Sequence, residues 1–267
     1  MKNKKYELTE KTIEWNGNTL YRIKALKDFG SVHKGDLGGW IAKESNLSQD
    51  GDCWIHDSAK VYDDAYIYHD AVVCDNAEVY GNAKVRGNSM VYDDAKVSDD
   101  AEVYGNAKVY DKANVYNDAW AFGNAEIFGD ANVYDNALVC DDAVVCGKAR
   151  VSDNAHICGN VKVYDNAQVF GKAQVYDNAK VYENARVCGN AQICGDAEIF
   201  SIDDYMTLIN NWEGIRYITW TKSNDMWKVD DFYGTGEELV KKAYEYTDEN
   251  GKKYEATVEY VKKLNSI

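Results

Sequence analysis

Along most of this chain the apolar residues fall on a strict period of six. An aliphatic residue stands at Ile55 and at every sixth position after it, through Val61, Ile67, Val73 and Val79 to Ile193 and Ile199. Of those 25 positions 24 are Val or Ile, and the exception is Ala121. Two residues before each, from Ala59 to Ala197, stands a small residue: all 24 are Ala except Ser89 and Val161. Side chains two apart on a strand share a face, so each Ala and its Val point inward together and the residues beside them point outward.

The two remaining letters of each hexad predict a corner. The first is Asp or Gly at 20 of the 23 sites from Asp63 to Gly195, and the second is Asn or Asp at 20 of the 24 from Ser58 to Asp196. These residue types tolerate left-handed backbone and bond their own turns, as a sharp corner every six residues requires. Short strands joined by corners at a fixed period predict a solenoid, whose units bury their apolar face only by stacking on one another. Its interior is a column of Val and Ala too narrow to admit a ligand, which leaves the outside and the ends for function.

Upstream of the repeat, the run D-F-G-S-V-x-x-G-D-L-G-G-W-I, followed by N-L-S-Q-D-G-D-C-W-I, is carried by Asp28, Phe29, Val32, Gly35, Gly38, Gly39, Trp40, Asn46, Leu47, Ser48, Gly51, Asp52, Cys53 and Trp54. Together with the aliphatic, small-residue hexads it resembles the YdcK-like hexapeptide-repeat proteins, a bacterial and phage-associated group often labelled transferases. The resemblance implies a mostly β protein built on a left-handed parallel β-helix, three hexads to a triangular rung. It supplies the handedness, which periodicity does not. About 25 hexads then make about eight rungs, a rod of about 40 Å at the strand spacing of a sheet. The expected organisation is an N-terminal cap over 1–51, the β-helix over 52–200 and a small α+β module over 201–267. The Gly35 to Gly39 segment, which lacks the ending of a phosphate-binding loop, reads as a tight turn seating Trp40 and Trp54 over the first rung.

The residue after each inward aliphatic is where this chain departs from the usual hexapeptide pattern of small or acidic residues. Among the 24 sites from Tyr62 to Phe200, 15 are Tyr or Phe and six are Cys. Rungs repeat every 18 residues, so Tyr62, Tyr80, Tyr116 and Tyr134 share one column, Tyr68, Tyr104, Phe122 and Tyr176 a second, and Tyr92, Tyr110, Phe128, Tyr164 and Tyr182 a third. Such columns either cover the backbone between rungs or form an exposed adhesive surface. Trp120 and Leu138, beside the anomalous Ala121, mark the best local contact patch. Cys140 and Cys158 fall one rung apart and can pair only under oxidation.

From Ser201 the hexads stop. The tail predicts a ββαα module: a hairpin around a Lys222 to Asp225 turn with Tyr217, Thr219 and Trp227 as cross-strand candidates, a helix opened by a Thr235 to Glu238 capping box, and a second helix from about Lys253 to Leu264. It is either the second cap or a partner-binding module.

Charge narrows the partners. The chain carries a formal charge of -15 and no proline, and residues 52–200 supply 25 acidic against 12 basic side chains. An acidic rod repels phosphate, so neither nucleic acid nor an anionic membrane is an expected partner. No apolar run at the N-terminus or elsewhere suits a signal or a membrane span, which predicts a cytosolic protein with seven free thiols and no zinc-type cysteine spacing.

Three functions follow as expectations. The leading one is a non-enzymatic scaffold that binds a protein or a second copy of itself, with Tyr104, Trp120, Phe122, Leu138, Trp212, Trp220 and Trp227 as contact candidates and with no cofactor or metal. The resemblance implies an alternative, an acyltransferase acting at a trimer interface, where a His serves as general base. The repeat has no interrupting loop, and of the four histidines His156 is the least poor candidate. A third reading is an acidic decoy for a host enzyme.

Overall fold

The computed structural model describes residues 4–212 and 214–265. Each hexad folds as a two-residue strand and a corner, and strands 18 residues apart lie side by side in parallel, as Val61 with Val79 and Val79 with Val97. The result is a three-sided parallel β-solenoid. Its first face runs from Lys60–Val61 to Arg186–Val187, its second from Trp54–Ile55 to Glu198–Ile199 and its third from Tyr66–Ile67 to Gln192–Ile193. The inward Ala and aliphatic side chains, with Ala121 among them, are fully buried in one continuous core.

All 24 first-corner positions from Asp57 to Gly195 have positive φ, between 48° and 88°. Glycine reaches this region freely. Asp gives a second benefit that the letter alone did not reveal: its carboxylate accepts the backbone N–H of the corresponding corner one rung on, as Asp111 does from Gly129 (3.0 Å) and Asp177 from Gly195 (2.9 Å). The second corner letter builds a parallel ladder in which Asn88, Asn106 and Asn124 each donate to the residue 18 positions later.

The solenoid is one rung longer than the hexads predict, about nine turns, with nine strands on the first and second faces. The extra rung comes from the lead-in. Strand Leu37–Ile41 pairs in parallel with Lys60–Val61, Leu47 bridges Ile67, and Trp54–Ile55 opens the second face. Gly38 and Gly39 therefore lie in a strand, and only Gly35, at φ 99°, is in the turn. A Cβ on Gly39 would stand 2.4 Å from the Ile55 side chain and 2.6 Å from the Ala59 carbonyl oxygen, so the paired glycines let this strand press onto the core. An antiparallel hairpin, Tyr6–Trp15 and Asn18–Ala25, extends the first face beyond it. Trp54 is buried edge-on against Tyr6 and Phe29.

The C-terminal module is larger than a ββαα unit. Four antiparallel strands, Tyr205–Asn210, Arg216–Thr221, Met226–Val229 and Phe232–Thr235, precede helices α1 (Gly236–Tyr246) and α2 (Asp248–Asn265). The hairpin turn and the Thr235 to Glu238 capping box stand where predicted. The cross-strand partners differ: Trp227 faces Trp220, Thr219 faces Lys228, and Tyr217 pairs outward with Ile209. α2 begins five residues earlier than expected, because Thr247 ends α1 and its hydroxyl accepts the N–H of Asn250 in the first turn of α2.

Both ends are closed by side chains of the chemistry the rod requires. The inter-rung bonds flanking the short strands run one way: an N–H of each rung donates to a C=O of the next, as from Tyr62 to Val79. The first rung is thus left with carbonyls lacking donors, and there Lys5 Nζ reaches the Cys53 carbonyl (3.0 Å) while the Tyr6 hydroxyl reaches Leu47 (2.8 Å). The last rung is left with N–H groups lacking acceptors. These are met by the Tyr205 hydroxyl at Cys188 (3.2 Å), Thr219 Oγ1 at Gln192 (3.0 Å), Ser223 Oγ at Glu198 (2.8 Å) and Asp204 Oδ2 at Phe200 (2.9 Å). Uncovered sheet edges template further pairing, and the tail module removes that edge.

Candidate interaction face

The outward residues of the repeat sort into stacks. Parallel rings stand 4.8 to 5.1 Å apart in Tyr62–Tyr80, Tyr92–Tyr110–Phe128, Tyr104–Phe122, Tyr116–Tyr134 and Tyr164–Tyr182. Register in the sheet below sets this spacing. Tyr62 is buried beneath the N-terminal hairpin, and the other stacked rings are half-buried, sharing faces with the rungs above and below. The expectation of exposed aromatic columns is corrected accordingly: stacking covers ring faces and leaves mainly edges to solvent. Burial raises the pKa of Tyr92, Tyr104 and Tyr116, and pushes that of Tyr110 up to about 12.

Apart from Phe200 at the last rung, the exposed large apolar side chains among the described residues of the hexads are instead in the column before each inward aliphatic, on the third face. Trp120 is 42% exposed, follows Glu102 and precedes Leu138 in register, and meets Tyr104 edge-on at 6.3 Å. Trp120, Leu138, Tyr104 and Phe122 are thus brought together as the sequence suggested. Next in the column is His156, exposed, between Leu138 and Gln174. Its imidazole makes no hydrogen bond or ion pair among the described residues, so nothing there orients it as a base.

Sequence reasoning missed a second exposed aromatic on this face, Tyr66, stacked on Tyr68 at 4.7 Å. Its signal was its place in the Trp120 column, 54 residues and three rungs earlier. The rungs between are polar: Glu102 carries ion pairs to Lys84 (3.0 Å) and Arg86 (3.4 Å). Burial opposes ionisation of Glu102, but these two cations outweigh it and hold the carboxyl below its ordinary range.

Two of the three tail tryptophans are removed from the surface. Trp227 is fully buried and Trp220 nearly so, both in the core that α1 and α2 form on the four-stranded sheet, and Trp220 Nε1 donates to Asp225. They hold the cap together and cannot meet a partner. Trp212 remains 40% exposed, edge-on to Tyr254 and under the Lys253 ammonium.

The thiols divide too. Cys140 and Cys158, adjacent on the third face with Cα atoms 4.7 Å apart, form a disulfide, which corrects the expectation of seven free thiols. The other five are free, and burial raises the pKa of Cys53, Cys146 and Cys194, which keeps them as poorly nucleophilic thiols. No described helix is long and apolar enough to cross a membrane.

The family description YdcK Beta solenoid repeat matches residues 173–189. The chain is a β-solenoid, and short stretches of it are similar to YdcK. Over 38 residues the chain is 50% identical to a protein of Escherichia coli (strain K12) named Uncharacterized acetyltransferase YdcK, a stretch that is 14% of this chain and 12% of that relative. The match thus spans far less than two thirds of the relative's length.

Proposed function

We propose that this chain is a non-enzymatic solenoid scaffold that binds a protein through the third face around Trp120. The observation that carries the reading is the 42% exposure of Trp120 on an otherwise regular, rigid strand column, flanked by Leu138 and the half-buried Tyr104–Phe122 stack. A large aromatic held out from a stiff surface, with neighbours that exclude water around it, has the form of an interface anchor. The test is sedimentation and cross-linking of the purified chain, alone and with extract of its host, comparing wild type with Trp120→Ser. Association lost in the variant while the thermal midpoint is kept supports the reading, and association equal in both proteins refutes it.

A second reading is acetyl transfer, supported by the name of the YdcK relative. Against it, His156 has hydrocarbon and amide neighbours where a base would need a carboxylate or carbonyl to orient it, and the repeat runs from Ile55 to Ile199 without an insertion to wall a cleft. Acetyl-CoA turnover that disappears in His156→Ala would reinstate the enzyme.

A further inference from the structure

The outward columns hold a flat group at most rungs, and where the ring is replaced by Arg the flat group persists: the Arg86 guanidinium lies 4.0 Å from the centre of the Tyr104 ring. On the first face the column reads Tyr62, Tyr80, Ser98, Tyr116, Tyr134, Ser152, Phe170, Cys188. Each serine falls between two aromatic residues and cannot reach ring height. Because neighbouring rings such as Tyr116 and Tyr134 stack 5.0 Å apart at an angle of 4°, omission of one ring leaves a gap of two ladder steps with a ring on either side.

At Ser152 this gap is an open slot of about 200 Å³, lined by Tyr134, Arg150, Ser152, Gln168, Phe170 and Arg186. Ser152 is buried at its floor. The slot is also basic, on a rod that is acidic as a whole. Among the described residues neither Arg150 nor Arg186 has a carboxylate within ion-pair distance, and the Arg186 guanidinium stands 5.3 Å from the Phe170 ring centre. The corresponding gap at Ser98 differs: Lys96 is paired with Glu78 at 3.5 Å, and the Ser98 hydroxyl donates to the Asp99 carboxylate.

We propose that the Ser152 slot is a binding site for a flat aromatic ring bearing an anionic group. The ring completes the interrupted ladder between Tyr134 and Phe170, taking up the tilt and spacing that the sheet imposes on every other member. The anionic group lies toward Arg150 and Arg186, where a guanidinium offers paired N–H donors to a carboxylate or phosphate. Gln168 contributes an uncharged polar edge. No chemistry is performed on the ligand: the site recognises shape by stacking and sign by its two cations, independently of the third face.

The test uses phenyl phosphate and 4-hydroxybenzoate as probes, so that phosphate and carboxylate are distinguished, with inorganic phosphate, phenol and benzamidine as controls, followed by amide chemical shifts of the whole chain. Saturable shifts confined to the rungs of Tyr134, Ser152 and Phe170, given by one or both anionic aromatics and absent with benzamidine or inorganic phosphate, are expected. Ser152→Tyr fills the slot with the residue the ladder lacks: it should abolish these shifts while keeping or raising the thermal midpoint, whereas Ser98→Tyr should leave them unchanged. Arg150→Gln with Arg186→Gln should weaken the anionic probe roughly tenfold or more, the scale of a lost charge-assisted hydrogen bond, and leave phenol unaffected. No saturable binding at millimolar probe, or binding that survives Ser152→Tyr, overturns the proposal. If Ser152→Tyr does not fold, the arginine pair decides by the same comparison.

Discussion

Thr219 Oγ1, in the C-terminal sheet, accepts the backbone N–H of Gln192 at 3.0 Å. With Tyr205, Ser223 and Asp204 it meets the last rung's unpaired donors with acceptors, so the tail acts as the lid of the rod. Thr219→Val keeps the shape and strands that part-buried N–H, a loss of about 1 kcal/mol. Thermal unfolding should show a lower midpoint. Truncation after Phe200 should expose the edge and produce end-to-end association, visible by light scattering.

The corners make two separable contributions. Asp111 sits at φ 56° and its carboxylate accepts the Gly129 N–H. Asp111→Ala should lose both the left-handed tolerance and the bond, about 2 kcal/mol together, while Asp111→Gly loses the bond and keeps the backbone at ease. Denaturant midpoints should therefore fall in the order wild type, Gly variant, Ala variant. An Ala variant no worse than the Gly variant would contradict the conformational half of the argument.

The Cys140–Cys158 bond closes a sequence separation of 18 residues. Tethering a loop of that length in the unfolded chain stabilises the fold by about 3 kcal/mol. Oxidised protein should need more denaturant to unfold than reduced protein. The Cys140→Ser, Cys158→Ser double variant should not respond to reductant.

The stacked phenols make the fold sensitive to alkali. Burial raises the pKa of Tyr92, Tyr104, Tyr116 and Tyr164, and that of Tyr110 to about 12. A folded value above the unfolded one, near 10, means that the folded chain holds the proton longer. The contribution is fully present below pH of about 10 and is lost as pH rises through the folded values. Ultraviolet titration of tyrosinate should lag behind that of the unfolded chain and then rise together with loss of the β circular-dichroism signal. Early ionisation without unfolding would show the rings to be freely solvated.

Much of the repeat is legible in the sequence, because the hexad has a local cause at every letter. Val and Ala face inward by strand alternation, and Asp, Asn and Gly take the left-handed corner most easily, with His69 and Glu183 as exceptions. The extra rung was hidden because Trp40–Ile41 and Leu47 reach two of the faces without hexad letters, by irregular spacing and by the close approach that Gly38 and Gly39 permit, and Ile55, the first aliphatic of the hexads, completes the rung on the remaining side. Trp120, Leu138, Tyr104 and Phe122 were placed together correctly, since an 18-residue period converts sequence directly into neighbours. Trp220 and Trp227 were not, since an aperiodic tail has no such rule.

The chain by itself thus determined the coil, its core and its corners, all of which follow from interactions within a rung or between one rung and the next. Only the tertiary structure decided which aromatics are exposed, which end needs donors and which acceptors, and where a ladder is left open. Those depend on what covers a surface, and the residues that cover the ends of this rod come from segments outside its repeat.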